Sequence, residues 1–135
     1  MSIGIPINLA AKLAEIQAPW TPHVCAELND YEFKLARLEG DFVWHAHAGT
    51  DEAFLVIEGQ LMIELRGEAS GPRSVALGPG DLFVVPQGIE HWPRSADGCG
   101  VLLIEPRGVI NTGDAGGGMT VEPTREACDS DGREP

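Results

Sequence analysis

The chain has 135 residues, 43% of them hydrophobic and 22% charged, which fits one folded domain over residues 1–135 and excludes gross disorder. A formal charge of −12 and a pI near 4.5 give a surface that repels phosphate backbones and anionic lipids, which argues against nucleic-acid and membrane partners. The 17 glycines and 10 prolines suit many short strands joined by tight turns better than a helical bundle.

Cys25, Cys99 and Cys128 are odd in number, widely spaced and without a CxxC pair, so they read as reduced thiols of a cytoplasmic protein. The first 18 residues show no basic stretch followed by an apolar run, and no segment reaches the roughly 18 apolar residues needed to span a bilayer.

In chain order, residues 8–17 read as a short amphipathic helix. Asn8 is placed to cap it, Leu9, Leu13 and Ile16 recur on one face, and Pro19 and Pro22 end it. From about residue 22 to 106 the pattern is strand and turn. Strands are expected over 24–28 and 31–38, joined by an Asn29-Asp30 hairpin turn, then over 42–48, 52–58 and 61–66. Further strands follow over 74–77, 82–85, 90–95 and 100–105, with sharp turns at Gly78-Pro-Gly80-Asp81 and Pro86-Gln-Gly88. Eight or nine short strands at steady spacing predict a sandwich or barrel.

Residues 107–135 form a tail of different character: the stretches 111–114 and 116–118 read as flexible and 129–135 as frayed. Val121 to Ala127 either packs on the barrel or a partner subunit, or belongs to a disordered tail.

Three of the four histidines and one glutamate carry the chemical signal. The first part is Gly40-Asp-Phe-Val-Trp-His45-Ala-His47, then Glu52 and Gly59; the second is Gly80, then Pro86-Gln-Gly88-Ile-Glu-His91. In a strand, residues two apart share a face, so His45 and His47 project together while Trp44 and Ala46 face away. Gly49-Thr50 can turn the chain so that Glu52 returns beside them, and the second turn delivers His91.

Three imidazoles and a carboxylate suit Fe, Mn, Ni, Zn or Co as a divalent cofactor, and an octahedral ion so held would keep two positions open. A structural zinc site would be closed and usually thiolate-rich. Taken singly, each residue has a plainer explanation: a packed histidine, a cross-sheet hydrogen bond, a solvated turn charge. Together they would require four independent accidents. Phe54 and Val56, in phase with Glu52, are candidate pocket residues, as are Phe83 and Val85. Glu90 and Arg94 read as outer-face charges, and His23 as a surface histidine.

These two segments resemble the two motifs of the cupin superfamily: Gly, His-x-His, Glu, Gly, and then Gly, Pro-x-Gly, His, Asn. The resemblance implies an all-β double-stranded β-helix, a jelly-roll barrel with the metal inside, to which the residues read above add a short N-terminal helix and a partly flexible tail. It places His45, His47, Glu52 and His91 at the metal-ligand positions and Gly59, Gly80, Pro86 and Gly88 at the turns. It also implies a homodimer. The chain is similar to small, single-domain bacterial cupins, many labelled loosely as mannose-6-phosphate-isomerase-like. Gly40 lies one residue closer to His45 than usual, and Ser95 stands where the family often has Asn.

Two functions are compatible with this pattern. One is a metal-dependent enzyme acting on a small organic substrate, of oxygenase, isomerase or decarboxylase type. The other is a non-catalytic protein that binds or senses a small molecule or the metal. A metal-free structural barrel is a third, weaker reading.

Overall fold

The computed structural model describes residues 4–125. They form one helix, α1 (Leu9–Glu15), and seven strands: β1 (His23–Leu28), β2 (Tyr31–Asp41), β3 (Glu52–Gly59), β4 (Leu61–Arg66), β5 (Arg73–Leu77), β6 (Leu82–Val85) and β7 (Glu90–Pro106). The strands join in the order β1-β2-β7-β3-β6, all antiparallel, while β4 pairs with β5 and β7. This is the jelly-roll barrel.

The helix is shorter than the 8–17 expected from periodicity. Asn8 caps it, its side chain accepting from the Ala11 N–H at 2.9 Å, but Ile16 already has extended backbone ahead of Pro19. Its last carbonyls are met by Arg37, whose guanidinium donates to Ile16 O at 2.7 Å and Leu13 O at 2.9 Å. Leu13 O also accepts from the Ile16 N–H at 3.0 Å, so the guanidinium supplements one helix-end acceptor and reaches a second, Ile16 O. Leu13 is buried in a notch at Gly100, where an added Cβ would lie 2.1 Å from Leu13 Cδ2.

Two further differences share one cause. Residues 90–106 are a single bent strand rather than two, and residues 42–48 are not a regular strand. The latter run extended beside the start of β7, but irregularly. Phe42 N–H donates to Pro93 O, His45 and His91 exchange both backbone bonds, and Gly88 N–H donates to His47 O. The spacing between those contacts changes along the run, so no continuous ladder forms. The strand count is therefore seven among the described residues, not eight or nine.

Strand β7 changes partners along its length. Residues Glu90 to Arg94 face β4, Cys99 to Ile104 lie between β2 and β3, and Glu105 and Pro106 pair with β2, with register shifts near Leu38 and Val56. Gly59 sits at φ +80 where the chain turns from β3 to β4, and an added Cβ would lie 2.4 Å from Gly98 O. Only glycine combines that backbone with that approach.

Inward residues of β2 to β7, among them Leu38, Phe54, Val56, Ile63, Val85 and Val101, make the main core. Burial of each large side chain contributes roughly 1.5–3 kcal/mol. A second cluster, Ile16, Cys25, Leu35 and Leu102, packs under the helix.

The tail is docked as far as it is described. Val24 N–H donates to Thr124 O at 2.7 Å and Thr124 N–H to Pro22 O at 2.8 Å. Thr124 bridges to His23, which is half-buried rather than a surface residue. Residues 126–135, with Cys128, the last part of the expected 121–127 contact and the expected frayed end, lie outside the described residues. No described helix is long and apolar enough to cross a membrane.

Candidate metal centre

His45, His47, Glu52 and His91 are all buried, and each offers one ligand atom within 4.8 Å of the others. Glu52 opens β3, His91 opens β7, and the two remaining histidines come from the irregular 42–48 run. The backbone exchange between His45 and His91 brings those two rings to a centroid separation of 4.1 Å.

The tautomers follow from what surrounds them. His45 Nδ1 lies 2.9 Å from Val43 O and His91 Nδ1 lies 3.0 Å from Ile89 O. A carbonyl only accepts, so both Nδ1 atoms carry the proton and donate. In the neutral His45 ring this leaves the Nε2 lone pair free to hold a metal, with the carbonyl fixing the ring's orientation. Burial, and then the neighbouring His91, bring His45 down to about 4, so it is a neutral base at physiological pH.

Glu52 Oε1 lies 3.3 Å from His91 Nε2 and 3.4 Å from His47 Nε2. Burial works against its charge, but the two imidazoles outweigh burial and hold the carboxyl below the usual range. His47 Nε2 is buried yet makes no hydrogen bond, its approach to Glu52 being close but misaligned. A buried orphan nitrogen beside a carboxylate and two further imidazoles is a donor set that fits a divalent cation.

Residues outside the motifs complete the site. Asp114 grips Ala46 from both sides: its carboxylate accepts from Ala46 N–H at 2.9 Å and its N–H donates to Ala46 O at 3.1 Å. Gly113, at φ +54, fits so closely that a Cβ would lie 2.3 Å from Ala46 O and 3.1 Å from His47 Nδ1. The stretch 111–114, read as flexible, therefore packs against the His-x-His segment. Ala46 is accordingly buried under it.

On the inner side, Glu105 and Lys34 are buried, with Lys34 Nζ 2.9 Å from Glu105 Oε1 and 3.7 Å from Glu32 Oε1. Arg125 reaches Glu32 at 2.5 Å. Burial and then the charge of Glu52 push the Glu105 carboxyl up to about 9, against the pull of Lys34. The sequence carried a signal for this cluster: Glu32 and Lys34 share strand parity with the core residues Ala36 and Leu38.

A cavity of about 40 Å³ adjoins two of the four residues, His45 and Glu52, and is lined further by Glu105, Phe54, Trp20 and Phe42 among others. Of the pocket candidates, Phe54 is on its wall, while Val56 and Val85 lie in the core. Phe83 packs on the core from outside, beneath Arg73 at 5.7 Å. Glu90 and Arg94 do pair outward, with Arg66 and Glu64. Ser95 is buried and donates to Gln60 O at 2.7 Å.

Comparison with known proteins agrees with this architecture. The YdbB protein of Bacillus subtilis is 32% identical over 88 residues, 65% of this chain and 74% of that protein. A cupin-2 domain containing protein from Shewanella frigidimarina is 44% identical at a TM-score of 0.69, covering 75% of this chain and 94% of that one. Hydroquinone 1,2-dioxygenase from Sphingomonas sp. TTNP3, in complex with 4-nitrophenol, is 27% identical at a TM-score of 0.68. That match covers 76% of this chain but 32% of the dioxygenase chain, so the likeness is to one part of the larger protein. The cupin domain model matches residues 32–105, the span that runs from the buried Glu32 to Glu105 and holds all four convergent side chains. By barrel, site and sequence alike, the chain belongs to the cupin family.

Proposed function

We propose that this chain is a metal-dependent enzyme acting on a small organic molecule, with oxygenase chemistry the first choice and isomerase or decarboxylase chemistry next. The observation that carries the reading is the convergence of four buried side chains beside a small cavity that two of them, His45 and Glu52, also line. His45, His47, Glu52 and His91 hold the ion, which is Fe, Mn, Ni, Zn or Co. When bound, such an ion polarises a substrate oxygen and, if redox-active, gives access to dioxygen chemistry.

The chain's own part is to orient and exclude water. Val43 and Ile89 carbonyls fix two ring orientations, Asp114 holds the backbone between the paired histidines, and Phe54 and its neighbours keep the wall apolar. The likeness to a dioxygenase supports the oxygenase choice. We further place the protein in the cytosol, supported by the buried thiols Cys25 and Cys99, as a homodimer. Leu82 and Val84, exposed on the edge strand β6, offer apolar surface for pairing.

Elemental analysis of untagged protein beside a His45→Ala/His47→Ala variant tests the centre; equal metal content in both would remove it. Oxygen uptake or product formation, measured anaerobically and then in air with diketones, catechols, keto acids and sugar phosphates, tests the activity. Binding across that panel without turnover would instead mark a sensing protein. Light scattering tests the dimer.

A further inference from the structure

The cavity beside the four ligands is too small for a ring. Its volume of about 40 Å³ compares with roughly 150 Å³ for an apolar protein cavity that takes up benzene. An aromatic stack fills the missing space. Trp20 and Phe42 lie nearly parallel, 4.7 Å apart at 16°, and Phe42 meets His45 edge-on at 5.3 Å.

Trp20 is fixed at both ends. Its backbone N–H donates to Arg37 O at 2.7 Å and its indole N–H to Glu39 O at 2.8 Å. Its φ of 62° lies in the left-handed region, where a bulky residue is rare and persists only when its surroundings hold it. The strain is accepted where it sets the indole against Phe42. A larger cleft of about 450 Å³ opens elsewhere, but of the four ligand residues only His47 borders it.

Resting on the metal-centre reading above, we propose that Trp20 and Phe42 are specificity-determining residues that occupy the place of a ring beside the metal. The site thereby selects a short aliphatic oxygen compound over an aromatic one. With about 10–15 Å³ needed per water-sized position, the space takes a molecule of about three to four heavy atoms, the size of acetate. Its oxygen faces His45 and Glu52 and its carbon end faces Phe54 and Phe42.

The test is equilibrium dialysis of the full chain, zinc-loaded and metal-free, against 4-nitrophenol, with calorimetry of acetate in parallel. Wild type is expected to exclude 4-nitrophenol in both forms and, with zinc, to bind acetate. Trp20→Ala and Phe42→Ala, each verified as folded by circular dichroism, should each gain about tenfold or more in 4-nitrophenol affinity at unchanged zinc content. Wild type retaining 4-nitrophenol as tightly as the variants, folded variants that gain nothing, or zinc-loaded wild type that fails to bind acetate would overturn the proposal. If neither variant folds, the wild-type arm decides by itself: exclusion of the ring with uptake of acetate supports, retention of the ring overturns. Zinc analysis separates this from the metal-centre reading. A chain that binds no zinc refutes the centre, while ring exclusion by the metal-free protein is judged independently.

Discussion

Raising the pH from 7 to 8.5 should weaken the metal-free protein, and the amount follows from one side chain. An unfolded glutamate ionises near 4.5, whereas folded Glu105 keeps its proton up to about 9 because it is buried and faces Glu52. Its contribution is fully present below pH 4.5 and is lost as the pH rises through the folded value. Between those limits the native state binds one more proton than the unfolded state, a slope of about 1.4 kcal/mol per pH unit. Over the interval from 7 to 8.5 this comes to about 2 kcal/mol.

The window is clean. His23 and His45 are both depressed, so their protons are exchanged below 6.5, and the Cys99 thiol, raised by burial, matters only near 9 and above. Urea unfolding of chelator-dialysed protein, followed by tryptophan fluorescence at four pH values, measures the slope. In Glu105→Gln the slope should vanish. The amide stands in for the protonated acid, so the two proteins should match below pH 4.5, with Glu32 still balancing Lys34, and the variant should be the more stable at pH 7 by about 3.4 kcal/mol, the amount the wild type loses over 2.5 pH units. Stability that is flat or rising in the wild type, or the same slope in the variant, would refute the reasoning. Zinc should end the wild-type slope at a lower pH, because a cation at Glu52 offsets the second of the two causes that hold the Glu105 proton while burial, the larger one, remains.

Three other outcomes follow from the same coordinates. Between pH 6.5 and 4.5 the depressed His45 loses stability as the pH falls while Glu105 gains it, so in the metal-free wild type these two should offset each other and leave only the fall that the depressed His23 adds. Glu105→Gln should steepen that fall by about 1.4 kcal/mol per unit there, read by the same unfolding curves. Asp114→Ala should cost about 1 kcal/mol and weaken zinc binding about tenfold in a chelator competition, with Asp114→Asn restoring most of both, since it keeps the acceptor for Ala46. Gly100→Ala should cost about 1–3 kcal/mol by driving Leu13 from its notch, and the loss in Gly100→Ala/Leu13→Ala should be smaller than the two single losses added.

What was legible in the sequence was what has a local signature. Asn8 and Pro19 bracket the helix, Asn29-Asp30 makes the hairpin, and Gly59 and Gly88 sit at positive φ where the motif spacing put turns. The four ligand candidates were legible because strand parity and two turns fix where each side chain goes. The remainder depends on contacts between distant residues. Nothing near Asp114 announces that it grips Ala46, and nothing near Trp20 announces a stack with Phe42. Residues 42–48 misled for the same reason: their alternation is that of a strand, but the irregular spacing against β7 and the grip of Asp114 decide their backbone. Glu32, Lys34 and Glu105 were readable in principle, as charges at inward positions, but a sequence does not say which face of a strand is inside.

Strand β7 has a consequence for how the molecule is made. Without it, the remaining pairings are β1 with β2, β3 with β6 and β4 with β5, three separate ribbons of two strands each. Ribbons of that kind are marginal in water by themselves. A chain emerging from the ribosome must therefore wait for its seventh strand before the barrel can close. His91 lies on that strand while His45, His47 and Glu52 precede it, so the four convergent side chains come together only as the barrel closes.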